Sequence, residues 1–491
     1  MLYLITIFLG AFLLFQIQPL MAKLILPYFG GGAAVWTACL LFFQAFLLLG
    51  YSYAHLISQI KKIKHQVSVH LLLLLSSISC LPIGINNVTV LTSNEQPLIN
   101  ILTLLTTSIG LPYILLAATG PLVQKWLTIN QTNKLPYKLY SLSNFASLLA
   151  LISFPFCFEI LFASAQQVFY WSIGYGLYLI SFILLALKVS QTPSLKLTEP
   201  LVTTANKPNK TTQTLWLLLS ATGVMLLVST TNAITQNIPP VPFLWILPLC
   251  LYLLTFIISF HSHKWYVRSY WLAFFTFTAL IAIFMYFIGS QFDIISQLFI
   301  YSGILFAACM ICHGELAQLK PNVAHLTWYY LLIALGGFLG SAFIAFIAPL
   351  IFQQFLEFPI AIIAVFILLA CSLLTEQKKF SKLVSFNILS ALICSVILSH
   401  LNNLYDKTEI MSTRNFYGIL SVNDVSIDGK KQRRLIDGTV SHGTQSLAEN
   451  EAHIPQSYYR ENTGIALAIS QLGKNSPLKA GFIGLGAGTL A

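Results

Sequence analysis

Runs of about 20 apolar residues recur along almost the whole chain, separated by short polar segments. A bilayer core needs a helix of about that length, because every backbone group must be satisfied inside the helix itself. The pattern predicts spans near 3–26, 33–57, 66–85, 99–120, 137–160, 166–187, 213–235, 241–260, 269–289, 294–312, 326–350, 358–374 and 383–400. The N-terminus has no basic leader and no Ala-x-Ala-like cleavage site, so the first run reads as a retained span rather than a signal peptide. Near residue 400 the pattern changes to alternating strands and glycine turns.

Charge gives this count a direction. Lys61, Lys62 and Lys64 follow span 2, Lys125, Lys134 and Lys138 follow span 4, and Lys188, Lys196, Lys207 and Lys210 follow span 6. Lys264 and Arg268, Lys320, then Lys378, Lys379 and Lys382 follow spans 8, 10 and 12. The odd-numbered loops hold Glu95, Glu159, Asp293 and Glu357, with Lys23 as their single basic residue. The positive-inside rule then places the even loops and the N-terminus in the cytoplasm. The expectation is a multi-pass protein of a bacterial inner (plasma) membrane, with the lipid bilayer as its first partner.

Composition agrees. The chain is 57% hydrophobic and 8% charged, with a mean hydropathy of +0.78. Soluble chains carry about a quarter charged residues. A net charge of +11 raises the question of a nucleic-acid partner. However, no basic stripe with interleaved aromatics exists, and the loop lysines need no partner beyond lipid and the insertion machinery. Eight cysteines fall far short of a disulfide scaffold.

The two halves echo each other. Tyr137-x-Leu139-x-x-Leu142-Ser143-Asn144-Phe145-x-Ser147 parallels Tyr330-x-Leu332-x-x-Leu335-Gly336-Gly337-Phe338-x-Gly340. Gly120-x-Leu122-x-Gln124 parallels Gly314-x-Leu316-x-Gln318, and Trp36 and Trp245 occupy comparable places in spans 2 and 8. Recurrent small-residue helix contacts are the plain account; shared order and spacing favour a duplication of six spans. Two parallel six-span repeats resemble the major facilitator architecture. The Gly/Asp/Arg-rich signature expected between spans 2 and 3 of that superfamily is replaced by Lys61-Lys62-Ile63-Lys64-His65. The expected organisation is 1–187 and 213–382 as six-helix repeats, 188–212 as a cytoplasmic linker, 383–400 as an extra span and 401–491 as a tail.

Polar side chains at membrane depth are costly and face the bundle interior. Gln16, Gln18, Gln44, Asn144 and Asn232 are of this kind. They act either as interhelical hydrogen-bond glue or as the lining of a polar cavity for a small solute. Lys23 and Glu159 lie nearer span ends and can snorkel. Cys309-x-x-Cys312-His313 fits the spacing of c-type haem attachment, but it lies in an apolar helix that ends on the cytoplasmic side. No metal site is expected, and His313 with Glu315 reads as a loop cap.

The tail holds 9 of the 26 Lys/Arg and 8 of the 15 Asp/Glu. Phe416–Val422 and Arg434–Ile436 flank Asp428-Gly429 as a β-hairpin. Tyr458-Tyr459-x-Glu461 opens a helical run, and Lys479–Ala491 reads as a strand entering the glycine turn Gly484-x-Gly486-x-Gly488, which suits a nucleoside ligand.

Arg434-Leu435-Ile436-Asp437-Gly438, Tyr459-x-Glu461 and the glycine turn together resemble the spermidine synthase family. With Phe15-Gln16-Ile17-Gln18-Pro19, Pro242-Phe243-Leu244-Trp245, Cys312-His313-Gly314-Glu315-Leu316 and Arg414-Asn415-Phe416-Tyr417-Gly418, the whole chain resembles membrane-fused spermidine synthase-like proteins. The resemblance implies aminopropyl transfer from decarboxylated S-adenosylmethionine, the co-substrate, to a polyamine. It also implies a nucleoside loop at Gly484, Gly486 and Gly488 and a substrate pocket near Tyr459, Glu461 and Asp437. Ala487 stands where soluble members carry Asp, and Ser441 and His442 where they carry Gln. The catalytic carboxylates would lie beyond Ala491, so the expectation for these residues is a truncated α/β domain without transferase activity. The alternative is a major-facilitator-like transporter binding a small polar solute.

Overall fold

The structure is a computed structural model. It describes residues 1–85, 96–130, 136–191, 208–235, 242–288, 292–322, 325–377, 379–438, 440–473, 479, 481, 483–484 and 486–489.

Thirteen helices among the described residues are long and apolar enough to cross a membrane. The first six are α1 (Leu2–Phe29), α2 (Ala33–Ile57), α3 (Ile63–Cys80), α4 (Pro97–Leu127), α5 (Leu139–Leu161) and α6 (Ser164–Gln191). The next six are α7 (Lys210–Thr235), α8 (Leu244–His261), α9 (Arg268–Met285), α10 (Ile294–Gln318), α11 (Leu326–Ile351) and α12 (Glu357–Glu376), and α13 is Lys382–Asp406. Large apolar side chains such as Phe169, Leu184, Phe277 and Val396 stay exposed. A soluble protein would bury a ring of this kind; in a bilayer it meets acyl chains.

Packing repeats with the sequence. In the first half α1 packs on α4, α5 and α6, and α2 on α4. In the second, α7 packs on α10, α11 and α12, and α8 on α10. The halves meet along two related seams, α2 against α11 and α5 against α8. Small residues set the closest approaches. A β-carbon at Gly340 of α11 would lie 2.3 Å from the Ala221 carbonyl oxygen of α7, and one at Gly336 2.4 Å from that of Leu217. Without a hydrophobic drive between helices in lipid, such backbone approach is a main source of helix affinity. The sheet-side ends of α5 and α11 each contain one π-helical turn, Phe154–Phe158 and Phe343–Ile347.

Helix α13 returns antiparallel along α12 and buries Val384, Asn387, Ala391 and Cys394. The helix is full-length, as the extra span was expected to be, and carries the tail to the end of the bundle opposite the lysine-rich loops. There the tail forms an antiparallel sheet of β1 (Glu409–Arg414), β2 (Ile419–Ile427), β3 (Lys430–Asp437) and β4 (Val440–Ser446), in that spatial order. The hairpin around Asp428-Gly429 joins β2 to β3, with both turn residues at positive φ. A short helix, α14 (Gly464–Leu472), follows. The strand expected from Lys479 falls largely outside the described residues.

One buried ion pair fixes the sheet to the bundle. Arg414 Nη2 donates to Glu357 Oε1 at 2.7 Å, with the two side chains 6% and 1% exposed. Its Nη1 donates to the carbonyls of Phe352 and Gln354, and the guanidinium lies 4.6 Å from the centre of the Phe355 ring.

Two outcomes follow from this packing. Gly340→Ala is expected to destabilise the fold by about 1–3 kcal/mol through overpacking, whereas Gly176→Ala, which meets nothing within 4 Å, is expected to leave thermal unfolding in detergent unchanged. Arg414→Ala leaves a buried carboxylate without its counter-charge, a loss of about 3–5 kcal/mol. Limited proteolysis is expected to cut at the α13–β1 connection in that variant before it cuts the helices.

Candidate functional site

A cavity of about 110 Å³ lies between the halves, walled by α1, α2, α4 and α5 on one side and α7, α8 and α11 on the other. No charged side chain lines it among the described residues. Its polar groups are amides and hydroxyls: Gln18, Gln44, Asn144, Ser143 and five tyrosines from both halves. Gln18 Nε2 donates to the Tyr113 hydroxyl at 3.2 Å. Asn144 is 9% exposed, and its Nδ2 has no hydrogen-bond partner among the described residues. A buried amide donor without a partner costs about 1–3 kcal/mol, which a solute oxygen at that position would recover.

Aromatic pairs close the cavity at both ends. Toward the sheet, Trp36 of α2 stacks on Trp245 of α8, with ring centres 5.3 Å apart at 15°. At the next residue of α2, Thr37 Oγ1 donates to Asn232 Oδ1 of α7 at 3.0 Å. Toward the basic loops, Tyr140 of α5 stacks on Tyr330 of α11 at 5.0 Å and 14°. Beyond it, His55 Nδ1 is 3.0 Å from Thr327 Oγ1. Along α2 the cavity runs from Leu40 to Tyr51, roughly 16 Å at 1.5 Å per residue. Each closure joins helices from opposite halves, so each must part for that end to open.

Of the membrane residues singled out in the sequence, Gln18 and Asn144 meet in this cavity together with Gln44. Gln16 is buried in α1 but is not on the cavity wall. Asn232 does not reach this cavity; it bonds to Thr37, next to Trp36, and lines a second chamber beneath the sheet. The tyrosines were missed because each reads as a core aromatic in isolation; only the assembled bundle turns five of them onto one space.

The remaining polar groups of the spans are structural. Glu315 is no loop cap. It is wholly buried in α10 and accepts from the Tyr266 hydroxyl at 2.7 Å, Arg268 Nε at 2.7 Å and Ser372 Oγ at 2.5 Å. It thereby ties α9, α10 and α12 together. Lys23 of α1 pairs with Glu159 of α5 at 2.5 Å. His313 stacks on Phe256 with ring centres 3.6 Å apart, and its Nδ1 is 2.8 Å from Thr255 Oγ1. Thr255 already donates to the Tyr252 carbonyl, so this imidazole nitrogen carries the hydrogen. Gly223 of α7 gives the ring its space, as Gly10 of α1 does for the Tyr178 ring of α6.

In the tail, Gly484, Gly486 and Gly488 all have positive φ, at 90°, 56° and 71°. A β-carbon at Gly486 would come 3.4 Å from the Tyr459 hydroxyl, so the glycine turn and Tyr459 do meet. Glu461 is exposed in a turn. Asp437 lines the chamber beneath the sheet instead.

No family model and no curated protein matches the chain. Among solved structures it is similar to one described as "Crystal structure of D-xylose-proton symporter", at 11% identity, over 76% of this chain and 96% of that one, with a TM-score of 0.48. The expectation of aminopropyl transfer to a polyamine is corrected, since no family model and no curated protein supports it, and the cavity between the halves is the observation carried forward.

Proposed function

We propose that the protein is a membrane transporter for a small, uncharged, polar solute. The observation that carries this reading is the cavity on the seam between two related halves, lined by amides and hydroxyls and shut at each end by a stack of aromatic rings. An ion would sit there without a counter-charge, at a cost that a polyhydroxylated or amide-bearing solute avoids. Aromatic faces and uncharged hydrogen-bonding groups suit the alternating CH and OH surfaces of such a solute. Opening one stack while the other stays closed would expose the cavity to one side at a time. Gln18, Gln44 and Asn144 hold the solute in this reading, and the lysine-rich loops face the cytoplasm.

Uptake into proteoliposomes tests it. D-xylose and xylitol, as neutral probes, are expected to enter faster than L-lysine and L-glutamate. Asn144→Ala and Gln18→Ala are each expected to lower neutral uptake about ten-fold. Equal entry of the charged probes, or full activity in both variants, would sink the reading. The closure at the sheet end has its own readout. With a Gln44→Cys reporter in the cavity wall, labelling by an impermeant maleimide is expected to be slow. Adding Trp36→Ala removes a stack worth about 0.5–1.5 kcal/mol and should speed it roughly two- to ten-fold.

A further inference from the structure

A second chamber lies on the same seam, between the end of the bundle and the underside of the sheet. Its volume is about 440 Å³, four times that of the central cavity. It is open to solvent at its rim, where Tyr417 and Asp437 are exposed, so a solute can reach it. Its floor is the Thr37–Asn232 hydrogen bond between α2 and α7. Its roof is the stretch Arg414–Ile419 with Asp437 at the end of β3. Helix α2 starts inside it at Gly32, whose cap position offers no side-chain acceptor to the first amides of the helix.

The wall chemistry is defined. Arg414 is spent on Glu357 and two carbonyls, so its charge is already met. Asp437 forms no ion pair among the described residues. The chamber therefore presents a carboxylate and amide oxygens as acceptors, and helix-start amides and the Asn232 amide as donors. A neutral solute with several hydroxyls satisfies both sets at once. The route to the central cavity is short, since Thr37 in the floor is the residue next to Trp36 of the stack.

We propose that this chamber is a second, outer binding site for the same neutral polar solute. It would be a roofed vestibule that a solute occupies before the Trp36–Trp245 stack parts. The proposal rests on the transport reading above. It adds that the sheet is part of the transport path: Arg414 and Glu357 hold the roof at the height that leaves the chamber open.

The test uses the full chain in proteoliposomes of known orientation, with D-xylose and xylitol as probes, and two chamber variants. Asp437→Ala removes the carboxylate, and Ala34→Phe fills the space. Both are expected to raise KM about ten-fold for entry from the sheet side while kcat stays within about two-fold. KM for entry from the basic-loop side should not change. A KM unchanged from both sides in Asp437→Ala overturns the vestibule while leaving the central site standing. An equal rise from both sides also overturns it, because a general loss of fold or of the central site would do that. No uptake of either probe by the unaltered protein overturns the transport reading and the vestibule together.

Discussion

The seams where α2 meets α11 and α5 meets α8 are the constraint from which everything else follows. In lipid, two apolar bundles gain nothing by hiding apolar surface from one another, so contact depends on close fit, hydrogen bonds and stacked rings. The seams supply each of these at the ends and leave a space in the middle. Trp36–Trp245 and Tyr140–Tyr330 draw opposite halves together above and below, and between them the helices diverge around Gln18, Gln44 and Asn144. Between those ends the halves also touch where Gln44 of α2 lies against Gly337 of α11.

Each half is made stiff enough to move as a body. Gly336 and Gly340 lock α11 onto α7 backbone to backbone. The fully satisfied carboxylate of Glu315 binds α9, α10 and α12 at the basic end. In the first half, Lys23 and Glu159 join α1 to α5 near the sheet end. These charged groups lie away from the cavity, where they fasten neighbouring helices of one half rather than the two halves to each other. The wholly buried ones meet partners that satisfy them, as charges at membrane depth must. The seam itself carries hydroxyls, amides and rings, whose contacts are weak enough to exchange.

The tail adds a layer to this plan. Its sheet is held by one ion pair in which both groups are almost wholly buried, so that removing either partner strands a buried charge. The attachment point is the start of α12, a helix of the second half that packs on α7, so the roof is tied to that half. The chamber floor, by contrast, is shared, with Thr37 from the first half and Asn232 from the second. Rocking of the halves would change the height between floor and roof, which links the sheet to the state of the Trp pair below it.

The sequence by itself determined the membrane class and the thirteen spans, because apolar length is a local property that the bilayer reads directly. It also marked Gln18 and Asn144, since a polar group in an apolar run needs a reason wherever it ends up. Two strands of the sheet, β1 and β4, escaped notice, because polar edge strands such as Val440–Ser446 carry little periodicity. The tail motifs suggested a catalytic domain because short glycine and tyrosine patterns say what a loop can bind but not what surrounds it. Only the tertiary structure decided that Gln16 packs away from the cavity, that Asn232 belongs to an outer chamber and that Glu315 is a hub. It alone turned five tyrosines from both halves onto one space. Such assignments depend on which face of a helix meets which neighbour, and that is set by packing between residues far apart in the chain.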